Sequence, residues 1–425
     1  MTTDRSLLEE MLSNENLNNA YLQVVRNKGA EGVDGMKYTE LKDYLKEHGE
    51  EIKEQIRTRK YKPKPVKRVE IPKETGGVRN LGVPTALDRF IQQAIVQVLT
   101  PIYEPLFSDN SYGFRPNRCC EMAIVKALEY MNDGYQWVID IDLEKFFDNV
   151  SHDKLITLVM RDVKDGEIVS LIRKYLVSGI MIDNEYKEST IGTPQGGNLS
   201  PLLSNIILNE LDKELEAREL RFTRYADDCI ILVGSSKAAD RVMENVSRFI
   251  EKKLGLKVNM TKSKVSKPNE IKYLGFGFFF DKYAQLWKAK PHEISIQKLK
   301  EKIRKLTSRS WSVDMDYRIL KLKQLIVGWV NYYRIGHFKM KAKEIDRNIR
   351  FRLRMCIWKQ WKKPYTRYKA LKKLGLEEWK CKTWANTRKS YARCASSFLQ
   401  VAISNQLLKK RGLVTILDQY QLKHI

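Results

Sequence analysis

The stretch RFTRYADDCIILVG, residues 221–234, places two adjacent carboxylates, Asp227 and Asp228, between two short apolar segments. The apolar and β-branched residues on either side predict a β-hairpin with the aspartates at its turn. Two negative charges are unusual where strands are buried, because a buried carboxylate loses its hydration. Exposed turns are also rich in Asp. Taken alone, the stretch therefore leaves a plain turn and a functional site as equal alternatives.

A third carboxylate follows a second predicted strand. The segment WVIDI, residues 137–141, is apolar and β-branched, and Asp142 stands where it ends. If this strand runs antiparallel to the hairpin, Asp142 comes close to Asp227, and three converging carboxylates repel each other unless cations lie among them. Mg²⁺ is the natural candidate, because this hard cation takes one or two carboxylates and leaves its other positions to water and phosphate oxygens. Two such ions about 3.5–4 Å apart can assist an in-line displacement at phosphorus.

The remaining chain alternates between helical and strand periodicity. The first sixty residues predict helices, and alternation around the ETGG turn predicts a basic β-hairpin between about residues 66 and 83. Further helices are expected between the strands, which also include LKVNM (256–260) and YLGFGFFF (273–280). Beyond Pro291 the pattern predicts three long basic helices, at about 295–307, 317–335 and 340–361, and then a helical tail after Pro364. The order predicts a mixed α+β fold followed by an all-α region.

The positive charge is concentrated at one end of the chain. Of a net charge of +25, residues 1–289 contribute nothing, with 43 basic and 43 acidic residues, whereas residues 290–425 hold 34 and 9. Six of the eight tryptophans lie in that last third, among the basic residues. Such a mixture favours binding of phosphate backbones and unstacked bases. The alternative is a set of helices with solvated basic faces and a core containing tryptophan.

Other sequence features concern the location of the protein. No run of about eighteen apolar residues occurs, and the N-terminus MTTDRSLLEEML lacks the pattern of a secretion signal. The six cysteines form no Cys-x-x-Cys pair, which argues against a zinc module or a disulfide framework. We therefore expect a cytoplasmic protein that has no membrane partner.

The YADD hairpin, with Asp142 five residues before Phe147, resembles the palm of reverse transcriptases, and in particular that of the enzymes encoded by bacterial group II introns. Further segments match the pattern of this family: GAEGVDGM (29–36), VEIPKETGGVRNLGVPTALDRFIQQAI (69–95), YGFRPNRC (112–119), TPQGGNLSPLLSNIILNELD (193–212), KVNMTKSK (257–264), YLGFGF (273–278) and GWVNYYR (328–334). The resemblance covers nearly the whole chain. It implies an RNA-directed DNA polymerase that also binds intron RNA to assist splicing and mobility.

The resemblance also implies roles for single residues. Asp142, Asp227 and Asp228 would be the catalytic carboxylates that hold two Mg²⁺ ions, with Mn²⁺ as a substitute, and the carbonyl of Leu143 would face a metal. Phe147 would be the steric gate that excludes a 2′-hydroxyl. The remaining nucleotide-binding residues would be Lys73, Arg79 and Gln195.

Two further sets of residues follow from the same resemblance. Lys262 or Lys264 would protonate the leaving pyrophosphate, and the sequence does not distinguish between them. A larger set would contact nucleic acid: Arg115, Tyr273, Gly275, Trp329, Tyr332 and Arg334. The implied partners are an RNA template with a DNA primer, deoxynucleoside triphosphates, group II intron RNA and a DNA target.

The implied architecture is a right-hand polymerase. An N-terminal helical extension would occupy residues 1–60, fingers and palm 61–289, an all-α thumb (the maturase region) 290–364, and a small helical DNA-binding region 365–425. The family's His- and Cys-containing endonuclease is not expected, because only His424 follows His337. The alternatives are a retron-like bacterial reverse transcriptase, an RNA-directed RNA polymerase, and a non-catalytic RNA-binding splicing factor that keeps the palm.

Overall fold

The computed structural model describes residues 6–72, 77–183 and 185–424. The chain divides into two compact units, Met1–Lys267 and Pro268–Ile425. The division falls before the boundary between residues 289 and 290 that the sequence predicts. It separates compact units and does not test the predicted limits of the fingers, palm and thumb, which stay predictions. Of the helices in the described part of the chain, none combines the length and apolar composition that crossing a membrane requires.

The first unit contains ten α-helices within its described residues. They are α1 (Leu7–Met11), α2 (Asn14–Asn27), α3 (Leu41–Arg57), α4 (Ala86–Tyr103), α5 (Cys120–Asn132), α6 (Phe146–Asn149), α7 (His152–Asp162), α8 (Gly166–Leu176), α9 (Ser200–Ala217) and α10 (Ser236–Phe249). A π-helical turn, Ile250–Leu254, continues α10. Several helices begin at a hydroxyl that accepts a backbone N–H, such as that of Thr85 before α4 and Ser235 before α10.

Two four-stranded sheets complete the first unit. One has the order β2-β1-β4-β5, from β1 (Val66–Pro72), β2 (Val78–Val83), β4 (Ile180–Ile182) and β5 (Glu185–Lys187). The other has the order β6-β7-β3-β8, from β3 (Trp137–Ile141), β6 (Arg221–Tyr225), β7 (Asp228–Val233) and β8 (Lys264–Ser266), and its neighbouring strands are all antiparallel. The core lies between this second sheet and the helices, where Ile95 of α4, Ile139 of β3 and Ile231 of β7 are fully buried.

The predicted strand at LKVNM is wrong. Val258 makes only an isolated bridge to Leu143, and the strand that joins the sheet is β8, which starts at Lys264. The short pair β4–β5 was not predicted from the sequence. The predicted hairpins around residues 66–83 and 221–234 and the strand at 137–141 are confirmed.

The second unit joins one hairpin to a helical array. The hairpin consists of β9 (Phe276–Asp281) and β10 (Leu286–Pro291). The helices are α11 (Glu293–Leu306), α12 (Met315–Tyr333), α13 (Lys339–Gln360), α14 (Pro364–Lys373), α15 (Glu378–Ala385), α16 (Tyr391–Ser396), α17 (Leu399–Ala402), α18 (Asn405–Lys410) and α19 (Ile416–Lys423). The three predicted long helices are thus confirmed, whereas β10 was missed.

Candidate active site

The YADD segment closes the β6–β7 hairpin. Tyr225 pairs with Asp228 across the two strands, which leaves Ala226 and Asp227 as the two turn residues. On the other side of β7, Cys229 pairs with Ile141 at the end of β3. Because antiparallel partners advance in opposite directions, Asp142 continues β3 at the position opposite Asp228. The sheet therefore brings all three predicted carboxylates to one edge.

This edge opens into a cleft of the first unit with a volume of about 940 Å³. Eight of the residues predicted for catalysis and nucleotide binding line it: Arg79, Asp142, Leu143, Phe147, Gln195, Asp227, Asp228 and Lys262. Lys73 lies outside the described residues. The structure thus collects residues from five separate segments of sequence into one concave site.

The two candidate lysines occupy different places. Lys262 lines the cleft, and its Nζ lies 3.8 Å from Oδ1 of Asp142. Lys264 lies in β8 opposite Asp140 of β3. The pKa of Asp140 is raised to about 6, chiefly by burial and in smaller part by nearby Asp142, while Lys264 acts in the opposite direction. Of the two lysines that the sequence left as candidate proton donors, Lys262 is thus the one that lies in the cleft beside Asp142.

Phe147 lies in the four-residue helix α6, directly after the sheet edge. Its neighbour Phe146 is buried, and the two rings meet edge to face with centroids 5.1 Å apart. The carbonyl of Phe147 accepts the backbone N–H of Thr193 at 2.7 Å, which fixes the helix beside the loop that carries Gln195. Phe147 is only partly buried and lines the cleft. Both rings therefore border the cleft, Phe146 as a buried core residue and Phe147 as a partly exposed one that also packs against the core.

The PQGG loop packs directly on strand β2. Gln195 accepts the backbone N–H of Gly82 at 2.7 Å through its carbonyl. Gly196 has a φ of +125°, and a Cβ at this position would lie 2.6 Å from the carbonyl oxygen of Gly82. Only glycine permits both this backbone conformation and this close approach. The loop and the β1–β2 hairpin, which carries Arg79, thus form one wall of the cleft.

The donor set of the cleft fits Mg²⁺ in its chemistry. Three carboxylates and the Leu143 backbone supply hard oxygen donors, and Mg²⁺ needs only one or two carboxylates because water and phosphate oxygens complete its shell. Throughout the described ranges, no three His, Cys, Asp or Glu side chains are arranged to hold an ion entirely by themselves. The carboxylate and carbonyl oxygens of the cleft are donors of the kind that Mg²⁺ prefers.

The residues predicted to contact nucleic acid have mixed environments. Arg115 is buried, and its guanidinium donates to Glu104 and to the carbonyls of Ser108 and Ser111, so its donors are used inside the protein. The others belong to the second unit. The hydroxyl of Tyr332 donates to the carbonyl of Leu274 at 2.8 Å, which joins the segments YLGFGF and GWVNYYR.

These two segments also meet through aromatic rings and a glycine. Phe276 stacks on Tyr332 with ring centroids 5.9 Å apart and packs against Tyr333 with centroids 4.9 Å apart. A Cβ on Gly275 would lie 2.6 Å from the hydroxyl of Tyr333. Tyr273 is buried, whereas Trp329 and Arg334 are partly exposed.

The sequence interpretation missed a set of polar residues beneath the YADD turn. Arg224, Asp212 and Asn205 are fully buried, and they contact each other just behind Ala226. No clear signal was present in the sequence, because Arg224 shares β6 with Arg221, and Asp212 lies among Glu210, Lys213 and Glu214 of α9.

Comparisons with protein-family models match both units. The model described as reverse transcriptase (RNA-dependent DNA polymerase) matches residues 71–278. The model described as the maturase-specific domain of group II introns matches residues 296–375. The two matches follow each other along the chain without overlapping.

Curated relatives agree with these models. Protein YkfC of Escherichia coli (strain K12) is 33% identical over 294 residues, which are 60% of this chain and 76% of that protein. The group II intron-encoded protein LtrA of Lactococcus lactis subsp. cremoris is 38% identical over 212 residues, 50% of this chain and 35% of LtrA. The chain thus spans about a third of the length of LtrA.

Among solved structures, telomerase from Candida albicans in complex with a fragment of telomeric RNA matches with 14% identity and a TM-score of 0.44. That match covers 79% of this chain and 66% of the other.

The family models and the two relatives support one conclusion. The chain belongs to the family of group II intron-encoded reverse transcriptases, in which a polymerase domain of the reverse transcriptase fold precedes a maturase domain, and its enzyme class is RNA-directed DNA polymerase.

Proposed function

We propose that this protein extends a DNA primer on an RNA template, using the cleft at the end of the β6-β7-β3-β8 sheet. The observation that supports this proposal most is the convergence of Asp142, Asp227 and Asp228 at a cleft that also holds Arg79 and Phe147. A triphosphate needs a cation beside its phosphates, and the planar guanidinium of Arg79 suits that role. The reaction is attack of the primer 3′-hydroxyl on the α-phosphate, with pyrophosphate leaving.

Asp142 and Asp227 would hold two Mg²⁺ ions, with Asp228 and the Leu143 carbonyl beside them, and Mn²⁺ could take their place. When bound, the ions would lower the pKa of the 3′-hydroxyl and stabilise the leaving pyrophosphate. Lys262 donates a proton from Nζ to the pyrophosphate, since it is the candidate lysine that lies beside Asp142. Gln195 contacts the incoming nucleotide, and the ring of Phe147 occupies the space where a 2′-hydroxyl would lie.

The second unit would bind intron RNA and the DNA target, and thereby assist splicing and mobility. Residues 268–425 hold 37 basic and 11 acidic residues, whereas residues 1–267 hold 40 and 41. Phosphate backbones are attracted by such an excess of positive charge. We place this activity in the bacterial cytoplasm, where the intron is transcribed.

The double change Asp227→Asn and Asp228→Asn tests the polymerase proposal. We expect folding and RNA affinity to be kept and primer extension to be lost, because neutral amides do not replace two anionic ligands of divalent ions. The measurement is extension of a labelled DNA primer on an RNA template, alongside RNA binding and thermal melting.

The matched control is Asp133→Asn with Asp183→Asn, since both aspartates are exposed. This control should extend primers at the wild-type rate. Clear primer extension by the Asp227/Asp228 variant would contradict the assignment of the carboxylates. Wild-type protein that binds RNA but makes no DNA would instead favour a non-catalytic splicing factor.

A further inference from the structure

The side chain of Arg224 is completely buried directly behind the YADD turn. Arg224 belongs to β6, two residues before Ala226, and its side chain is 0% exposed. Burying a guanidinium is costly unless a partner neutralises it and its N–H groups are bonded. Asp212 of α9, also 0% exposed, supplies the compensating charge.

The bonds of Arg224 link α9 to the turn. Its Nε donates to Asp212 Oδ1 at 2.7 Å and its Nη2 to Asp212 Oδ2 at 2.5 Å, in a two-pronged pair. Its Nη1 donates at 3.0 Å to Oδ1 of Asn205, which lies on the same face of α9 as Asp212. The same Nη1 donates at 2.9 Å to the carbonyl oxygen of Ala226. One side chain therefore ties the first residue of the catalytic turn to a buried helix.

The residue held in this way has an unfavourable backbone conformation. Ala226 has a φ of +58°, in the left-handed region where a Cβ carries a steric cost. Both favoured types of two-residue hairpin turn require a positive φ at this first position, and glycine is the residue that adopts it freely. An alanine persists there only where the surroundings hold it.

A second contact holds Ala226 from another direction. A Cβ on Gly113 would lie 2.2 Å from the backbone nitrogen of Ala226, so these two backbones touch. The carbonyl of Gly113 accepts the side-chain N–H of Asn205 at 2.9 Å. The neighbouring segment bonds to β6 as well, because Arg224 N donates to Asn110 O and Tyr112 N to Arg224 O.

We infer that Arg224 is a positioning residue, which acts through the carbonyl of Ala226 to hold the left-handed turn that places Asp227 and Asp228 in the cleft. Asp212 neutralises it and Asn205 aligns its Nη1. This inference rests on the proposed function, because the turn matters to activity only if its carboxylates serve catalysis. It assigns to three buried residues a role that none of them performs by touching substrate.

Arg224→Lys in the full-length chain is the first test. Lysine keeps the charge that Asp212 requires, but a single ammonium group does not reproduce the planar fork that reaches Asp212 and Ala226 together. We expect kcat for single-nucleotide addition to fall by about 100-fold, the order that follows when a reacting group moves by about 1 Å. The Mg²⁺ concentration for half-maximal rate should rise, while KM for the nucleotide changes little.

The matched control is Arg218→Lys, an exposed arginine paired with Glu214 at the end of α9. Both variants are assayed well below their melting temperatures. If the two have equal kcat and equal Mg²⁺ dependence, the inference is overturned. An inactive wild-type protein would instead contradict the proposed function, so the two failures are distinguishable.

Adding Ala226→Gly to Arg224→Lys separates positioning from general stability. Glycine adopts a positive φ without restraint, so the double variant should recover at least about tenfold in kcat, a difference of about 1.4 kcal/mol in activation free energy. Recovery of the melting temperature without recovery of kcat would overturn the inference.

Should Arg224→Lys fail to fold, Asn205→Ala replaces it. This change leaves the Asp212 fork intact and removes both contacts by which Asn205 supports the turn, its bond from Arg224 Nη1 and its bond to the Gly113 carbonyl. We expect the same rise in the Mg²⁺ requirement with a smaller loss of kcat, about tenfold. An unchanged Mg²⁺ requirement in folded Asn205→Ala protein would contradict the inference.

Discussion

Two adjacent aromatic residues of α6, Phe146 and Phe147, have different surroundings. Both line the cleft, but Phe146 is 3% exposed and belongs to the core, whereas Phe147 is partly exposed. Removing a core phenylalanine leaves a cavity and costs stability, whereas removing a ring from a cleft wall changes what the cleft admits. The pair therefore offers a built-in comparison between packing and selectivity.

We predict that Phe147→Ala increases the use of ribonucleotides relative to deoxynucleotides, because the space for a 2′-hydroxyl opens. Phe146→Ala removes a buried ring, so its main effect should be to lower the free energy of unfolding by about 3–5 kcal/mol, with a smaller change in sugar selectivity than in Phe147→Ala. The measurements are kcat/KM for rNTP and dNTP and the unfolding midpoint of each variant. Unchanged selectivity in Phe147→Ala, with lost stability, would identify Phe147 as a packing residue.

At this scale the sequence predicted the residues that face the cleft better than those that support it. Asp142, Phe147 and Gln195 stand in short recognisable segments, and the fold brings those segments together. Arg224 and Asp212 are twelve residues apart. Their pairing depends on how α9 packs behind β6, which residue spacing does not specify. Their burial is a tertiary property, and in the sequence each lies near other charged residues that are not buried with it.

At the scale of elements, the segment after α10 shows why LKVNM was mistaken for a strand. Its alternation has the period of a strand, but it pairs with β3's continuation only at the isolated bridge between Val258 and Leu143. The N–H groups of Lys262 and Ser263 then both donate to the carbonyl of Asn259, which makes a turn. The ladder of β3 is instead extended by Lys264–Ser266. Alternation of apolar and polar residues predicts which side chains share a face. Whether the backbone of that segment joins a sheet depends on the hydrogen bonds that neighbouring elements offer.

Helix α19 depends on a carboxylate of another helix. Asp346 of α13 is buried and accepts the backbone N–H groups of Ile416 and Leu417, at 2.8 and 2.9 Å, at the start of α19. Burial raises the pKa of Asp346, while these two hydrogen bonds act in the opposite direction. These N–H groups have no partner within α19 itself, as at every helix N-terminus.

We predict that Asp346→Ala lowers the free energy of unfolding of the second unit by about 1–3 kcal/mol, the cost of leaving buried donors unpaired. Lys409→Ala, which removes only the exposed pair with Asp418, should change it by less than about 1 kcal/mol. Denaturant unfolding monitored by tryptophan fluorescence measures both. Equal effects of the two changes would show that Asp346 does not anchor α19.

At the scale of the whole molecule, the division into units follows the division of charge. The first unit has nearly balanced charges, and the second holds an excess of 26 positive ones. The positions of the basic and acidic residues along the sequence predicted this asymmetry. They did not predict where the compact units separate, because that depends on contacts between strands such as β9 and β10.

We predict that the fragment 1–267 retains the carboxylate cleft but loses most of the RNA affinity and its salt dependence. Each phosphate contact contributes a slope of about −0.7 to −0.9 to the logarithm of affinity against the logarithm of salt concentration. Binding of RNA by full-length protein and fragment across a salt series measures this, after circular dichroism has shown that the fragment folds. A folded fragment with the full-length slope would place the main RNA surface in the first unit.

The buried pair of Asp212 and Arg224 also restricts how this sequence can change over evolutionary time. Losing either partner alone leaves an uncompensated charge in the interior, at a cost of about 3–5 kcal/mol, whereas replacing both by apolar residues can be neutral for stability. A lineage that drifts one substitution at a time must therefore pass through a poorly folding intermediate. Such a barrier preserves the pair even where selection on polymerase activity is relaxed, so descendants that have lost the catalytic carboxylates should still carry both residues.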